Sequence, residues 1–202
     1  MLALTPADSQ AYGEKMTKKV AIIFGSPRKE SNTHLLVKEA LKGLEEIGAQ
    51  GEIFFLNDMH IKGCQSCNHC KANAAAGCAV KDDMQAAHEA MERSDGVIVA
   101  SPIYFGNATA QTRMWIDRLY RYVGHPIPGG KPISFIFTQS FPDEQEYSGD
   151  LATFMAQTKK AGFMPVGHLV AADLSKGQKP MVTENRVYMK AAYDLGKNLL
   201  NG

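Results

Sequence analysis

The chain is short of charge imbalance, of long apolar runs and of the usual catalytic signatures. Its 202 residues hold 22 Lys and Arg against 21 Asp and Glu, a net charge of +1. That balance excludes a nucleic-acid binder acting through bulk positive charge, and a disordered acidic tail, as the main theme. No apolar stretch approaches the ~18 residues of a membrane helix; the longest, such as 20–24, are strand-sized. Residues 1–19 place their lysines last and are apolar only at 1–4, the reverse of an export signal. The expectation is a cytoplasmic protein with no membrane or nucleic-acid partner, in which 1–17 is an extension and Met16 an alternative start. Neither G-x4-G-K-[ST] nor G-x-G-x-x-G occurs, so neither a P-loop nor the dinucleotide fingerprint is present. A C-x5-R loop is missing as well, because Ala76 stands six positions after Cys70 and Cys70 six after Cys64. No Ser/His/Asp set, internal repeat or low-complexity tract is found.

What is present is alternation. Apolar, β-rich runs at 20–24, 53–56, 97–100, 133–137 and 166–170 are separated by helix-patterned segments at 33–47, 84–91, 109–122, 147–161 and 183–200. Continuous apolar strands imply burial on both faces of a parallel sheet, and five strands alternating with five helices is a doubly wound α/β pattern. With 45% apolar residues, a domain spanning 18–202 folds without disulfides or metal. In such open sheets ligands bind beyond the carboxyl ends of the strands, where the strand order reverses; for order 2-1-3-4-5 that is between strands one and three.

The loops following those two strands are unusual. After the first comes Gly25-Ser26-Pro27-Arg28-Lys29-Glu30-Ser31-Asn32-Thr33, entering a helix. Unpaired backbone N–H groups at the positive end of a helix form an anion site, to which Ser26, Ser31, Asn32 and Thr33 add donors and Arg28 a fixed charge. An ordinary capped helix start, with Ser31 or Asn32 as N-cap, is the simpler alternative. After the third strand comes Ser101-Pro102-Ile103-Tyr104-Phe105-Gly106-Asn107-Ala108-Thr109. One loop offers phosphate donors and the other aromatics on a proline-shaped backbone, which suits a ligand with a phosphate tail and a flat ring system.

A third connection, 57–83, is far longer than the ~2–6 residues usual between a strand and a helix. It carries every cysteine of the chain as Cys64-x2-Cys67-x2-Cys70-x7-Cys78. Three thiolates at x2 spacing converge on one centre in ferredoxin-type runs, so a [4Fe–4S] cluster is one reading. Zinc on four thiolates, and thiols without metal or in a labile disulfide, stay open beside it. The following Asp82 and Asp83 read as N-cap candidates for the next helix.

Taken together, GSPRKESNT, SPIYFGNATAQTRMWIDR and the cysteine loop between them resemble the NADPH-dependent FMN reductase branch of the flavodoxin-like flavoproteins, and especially the iron–sulfur flavoproteins. The resemblance runs from about 18 to 200. It implies a five-stranded parallel sheet in the order 2-1-3-4-5 with helices on both faces. It implies FMN, with its phosphate held by Ser26, Arg28, Ser31, Asn32 and Thr33 and its isoalloxazine lined by Pro102, Ile103, Tyr104, Phe105, Gly106 and Asn107. Thr138, Gln139 and Ser140, after the fourth strand, match loosely as a third flavin-side loop. The chemistry would occur at flavin N5 and need no side-chain acid or base.

The activity so implied is transfer of reducing equivalents from NAD(P)H to a quinone, flavin or similar small-molecule acceptor. The alternatives are an electron carrier whose cluster on Cys64, Cys67, Cys70 and Cys78 accepts electrons from a ferredoxin-like protein, and a non-catalytic, zinc-stapled binding module. Met114, Trp115, Ile116 and Leu119 beside Arg113, Asp117, Arg118 and Arg121 have the composition of an interface, and the resemblance likewise implies a homodimer or homotetramer. His168 is expected in the fifth strand as a hydrogen-bonded interior residue; His69, between Cys67 and Cys70, could ligate but reads more simply as solvated, and His60, His88 and His125 form no constellation.

Overall fold

The computed structural model describes residues 17–174 and 181–201; the expected extension at 1–17 lies, apart from Thr17, outside the described residues. Five strands, β1 (Lys18–Phe24), β2 (Ala49–Phe55), β3 (Gly96–Tyr104), β5 (Pro132–Thr138) and β6 (Met164–Ala171), form a parallel sheet in the order β2-β1-β3-β5-β6. This is the flavodoxin-like order expected. A sixth strand, β4 (Asn107–Ala108), pairs antiparallel with the end of β3 and is too short for any hydrophobic period to announce.

The continuous apolar runs are explained by alternation between two buried faces. In β1, Ala21 and Ile23 join one core with Val97, Val99, Phe135 and Phe137, under α3 (Met84–Arg93), α4 (Ala110–Arg118) and α5 (Ser148–Lys160). Val20, Ile22 and Phe24 join the other with Ile98, Ala100 and Ile136, under α1 (Asn32–Glu46) and α6 (Arg186–Asn198). Trp115 of α4 is fully buried and stacks on Phe154 of α5 at 6.3 Å. The helices α1 and α6 approach to backbone contact: a Cβ on Gly43 would lie 2.1 Å from the Tyr193 carbonyl oxygen, and one on Gly196 2.0 Å from that of Ala40. Among the described residues no helix is long and apolar enough to cross a membrane.

Four expectations need correction. The helix expected over 109–122 ends at Arg118 and tightens into a 3₁₀ turn, Leu119–Tyr122. Its Trp115, Ile116, Arg118 and Leu119 are buried within the chain itself and so are not interface surface. His168 is exposed rather than interior, because β6 is an edge strand whose first half alternates with exposed Met164 and Val166. The strand β2 begins four residues before its apolar run, since Ala49-Gln50-Gly51-Glu52 pairs with β1 through its backbone, with Ala49 alone of the four buried in the core.

The one fully buried histidine, His88, lies in α3. Its Nδ1 shares a hydrogen bond with the Tyr122 hydroxyl at 3.1 Å, while Nε2 has no partner. Burial, reinforced by the nearby Arg121 and Arg118, pushes its pKa down from 6.5 to about 3. The folded state therefore excludes a proton that the unfolded chain binds below 6.5, so stability rises with pH between those values and is lost on acidification. From pH 7 to pH 5 this group alone should cost about 2 kcal/mol. Urea unfolding at both pH values should show a correspondingly flatter dependence in His88→Gln. An equal slope in the variant would mean that His88 is protonated in the fold.

Candidate functional site

The chain leaves β1 at Gly25, whose N–H bonds the Ala100 carbonyl of β3 at 2.8 Å. Ser26 is buried; its hydroxyl accepts from the Arg28 N–H at 3.2 Å and lies 3.3 Å from the Ser31 hydroxyl. Ser31 is the N-cap of α1 and accepts from the His34 N–H. The N–H groups of Asn32 and Thr33, in the first helical turn, have no intrahelical carbonyl to bond and lie at the positive end of the dipole. Thr33 bonds Thr138 of β5 at 2.7 Å. Arg28 is exposed and lines the cleft above the helix start.

The side chain of Asn32 has a second task. Its carbonyl accepts from the N–H groups of Met181 and Val182 at 2.7 and 2.9 Å, and its amide donates to the Leu174 carbonyl at 3.2 Å. It ties the chain on either side of 175–180 to the loop, leaving chiefly its backbone N–H for an anion.

The second loop is a tight hairpin. Tyr104 pairs with Asn107 and Ile103 with Ala108, leaving Phe105 and Gly106 as a two-residue turn. Both have positive φ, 50° and 83°, as a type I′ turn requires. Glycine adopts this freely; phenylalanine does so at a cost of about 1–2 kcal/mol. The strained Phe105 side chain is wholly exposed beside Tyr104, which is 44% exposed. Asn107 turns away from the cleft, with its amide toward Asp150 of α5 at 3.3 Å.

The two loops are bonded to each other. Thr109, the N-cap of α4, donates its hydroxyl to the Gly25 carbonyl at 2.7 Å and contacts the Thr112 hydroxyl at 2.9 Å. Its N–H bonds the Ser101 hydroxyl at 3.1 Å. Sequence reading missed Thr109, Thr112 and Ser101; the T-x-x-T spacing at a helix start was the available signal.

Arg28, Ser31, Asn32, Thr33, Pro102, Ile103, Tyr104, Thr138, Gln139, Ser140 and Leu174 line one cleft of about 270 Å³ at the carboxyl edge of the sheet. Next to it, Ile103, Phe105, Gly106, Gln139, Ser140, Phe141 and Tyr147 bound a second space of about 340 Å³. Phe141 and Tyr147 meet edge to face at 5.8 Å. Gln139 is buried, and its amide donates to the carbonyls of Phe141 and Asp143, but its Oε1 has no partner. An orphaned acceptor in the wall where the two spaces join fits a ligand that donates an N–H. The sequence-derived phosphate, ring and third-loop residues are thus brought to one place, apart from Asn107 and from Ser26, which acts from beneath.

The cysteines are not assembled. Cys64 and Cys67 are exposed, Cys70 and Cys78 half-buried, and all four are free thiols. Among the described residues no group of three or more His, Cys, Asp or Glu is placed to hold a metal. Ser66 and Asn68, between successive cysteines, take left-handed φ of 53° and 56°, and only one helical turn, α2 (His69–Ala72), follows. The thiol set has the chemistry of a metal centre, but its present placement does not fit one. Asp82 does not simply cap α3 as expected: it forms a buried ion pair with Arg118 at 2.8 Å. That pair holds the Asp82 carboxyl below its ordinary range against the opposing effect of burial.

Comparison with known proteins agrees with this geometry. The chain is 35% identical over 161 residues to an iron–sulfur flavoprotein of Archaeoglobus fulgidus, covering 79% of this chain and 71% of that one. It is 43% identical over 100 residues to an iron–sulfur flavoprotein of Methanocaldococcus jannaschii, an alignment that spans about half of each. Among solved structures, the NAD(P)H:quinone oxidoreductase of Methanothermobacter marburgensis superposes with a TM-score of 0.72 at 19% identity, covering 91% of this chain and 96% of that one; the likeness is one of fold. The family model described as NADPH-dependent FMN reductase matches residues 18–173. The chain belongs to the NADPH-dependent FMN reductase family and is an oxidoreductase of that group.

Proposed function

We propose that this protein binds FMN in the cleft at the carboxyl edge of the sheet and passes reducing equivalents from NAD(P)H to a quinone, flavin or related flat acceptor. The observation that carries this reading is the meeting of a helix-start anion site with an aromatic hairpin in one cleft. Bound FMN supplies the redox chemistry, taking up and giving out electrons at its ring.

The chain's own work is to bind, orient and exclude. The N–H groups opening α1, the Ser31 and Thr33 hydroxyls and the Arg28 guanidinium neutralise a phosphate. The hairpin backbone at Gly106 approaches a flat ring without a Cβ in the way. Backbone N–H groups of this hairpin stabilise negative charge gained on reduction of the ring. The unpaired Gln139 Oε1 would be left to accept from an N–H of the bound group. Phe105, Phe141 and Tyr147 form the wall against which a flat acceptor stacks and from which water is displaced.

Reconstitution with FMN followed by anaerobic addition of NADH or NADPH tests the reading. Flavin absorbance should bleach within seconds and recover on adding a simple quinone. A chain that retains FMN and is reduced by dithionite but by neither nicotinamide has a different donor.

The free cysteines, all in one loop, favour a second reading: an iron–sulfur centre in that loop and a ferredoxin-like protein as electron donor. Iron, sulfide and zinc analysis of the anaerobically purified protein separates the two readings.

A further inference from the structure

The two spaces at the carboxyl edge of the sheet carry opposite charge. The first holds the opening of α1 and the Arg28 guanidinium. Among the described residues, no Lys, Arg or His lines the second. Its outer wall, Phe141 and Tyr147, brackets a segment that holds Asp143, Glu144 and Glu146, and Asp150 follows in the first turn of α5. All four carboxylates are exposed, and they are the only charged residues between 132 and 158. Asp150 shares a small space with Gly106 and Tyr147, which places it against the aromatic hairpin. Among the described residues none of the four forms an ion pair. Asp143 accepts from the Gln145 N–H at 2.9 Å, Glu144 from the Tyr188 hydroxyl at 2.6 Å and Asp150 from the Asn107 amide at 3.3 Å. These donors are neutral, so they orient the carboxylates without cancelling their charge. Gln139, 4% exposed and lining the same space, adds an unpaired carbonyl oxygen. Arg186 lies farther along, in the cleft beyond Tyr188, where it shares the lining with Asp173 and Glu184.

We propose that this acidic rim makes the second space selective for flat acceptors that are neutral or positively charged, and turns anionic ones away. The inference rests on the reading of that space as the acceptor site. Carboxylates around a cleft with low-dielectric walls focus a negative potential into it, which acts on approach as well as on binding. The wall of Phe105, Phe141 and Tyr147 works in the same direction, because the faces of aromatic rings attract cations. Positive charge at one end of the site thus grips a phosphate, while negative charge at the other sorts what comes to be reduced.

The test uses the FMN-loaded full chain and three flat acceptors: menadione, which is neutral, a naphthoquinone sulfonate, which is anionic, and N-methylphenazinium, which is cationic. Equilibrium dialysis against the oxidised chain gives binding constants without turnover, since both partners are then oxidised. Anaerobic mixing with the photochemically reduced chain gives the rate at which flavin absorbance returns. Two electrons pass to the acceptor in that step, and a quinone leaves as the hydroquinone with two protons from the reduced ring and solvent. The variant Asp143→Asn with Glu146→Gln and Asp150→Asn removes three charges and keeps oxygens that accept the same hydrogen bonds. At low ionic strength it should bind and react with the sulfonate about tenfold better than wild type, with the phenazinium about tenfold worse, and with menadione within about twofold. These differences should fade by about 0.5 M salt, where screening shortens to a few ångströms. A loss of packing would instead move all three acceptors alike. Equal changes for the three, or a sulfonate affinity that neither salt nor the variant alters, overturn the charge rule. A reduced chain that none of the three reoxidises overturns the acceptor reading, and the dialysis constants still decide the charge rule by themselves.

Discussion

Gly25→Val is expected to weaken FMN binding on the order of tenfold to 100-fold, the scale of about 1–3 kcal/mol of overpacking placed on the loop that holds the phosphate. A Cβ at Gly25 would stand 1.8 Å from the Thr112 hydroxyl and 3.0 Å from that of Thr109. Retreat is costly for both hydroxyls: Thr109 bonds the Gly25 carbonyl and caps α4, and Thr112, fully buried, is held 2.9 Å from the Thr109 hydroxyl. The added side chain therefore pushes the phosphate loop and the hairpin apart at the point where they are joined. Overpacking of this kind costs about 1–3 kcal/mol of stability as well. Flavin fluorescence titration measures the binding loss, and thermal melting the stability. Gly25→Ala combined with Thr112→Ala removes the nearest clashing atom and should recover part of the affinity. Unchanged FMN affinity in Gly25→Val would show that the two loops do not act as one unit.

The largest loss of stability is expected from Gly196→Val. The helices α1 and α6 touch backbone to backbone at Gly43 and Gly196, and a carbonyl of the facing helix stands 2.0 Å from the position of the new Cβ. Backbone cannot rotate away as a side chain can, so α6 must lift. A cost of about 3 kcal/mol is expected, the upper part of the overpacking range, corresponding to a melting temperature lower by about 6–12 °C for a domain of this size. The site feels this secondarily, because α1 carries Ser31 and Thr33 and α6 carries Tyr188, whose hydroxyl accepts from the Ala172 N–H at 3.2 Å. Thermal melts with and without FMN should both shift. Melts that coincide with wild type would mean the crossing has slack that the structure does not show.

Much of this architecture is legible in the sequence because β1, β3 and β5 are buried on both sides, and their unbroken apolar runs leave one reading. The placement of the first and second loops at one sheet edge is legible for a related reason, since each follows a buried strand on either side of the point where the strand order reverses. What escapes is whatever depends on a distant partner. Asn32 has the composition of a phosphate donor, and only the fold shows its side chain occupied by Met181 and Val182. Arg118 lies in a segment with interface composition, and only the return of the 57–83 loop shows it facing Asp82. His168 follows the strand pattern, but the pattern does not say that β6 is an edge with its first half uncovered. The cysteine spacing leaves cluster, zinc and free thiols open, and only the fold shows that, among the described residues, no three possible ligands are gathered to hold a metal.

The corner at Phe105 carries an implication for engineering. Asn-Gly would occupy that left-handed turn with less strain than Phe-Gly does. Selection in the laboratory for heat tolerance alone should therefore drift toward asparagine at 105 and strip the mouth of the cleft of its most exposed aromatic. If Phe105 stacks an acceptor as proposed, directed evolution of this scaffold has to score turnover and thermal tolerance in the same round, because the two favour different side chains on one unchanged left-handed backbone.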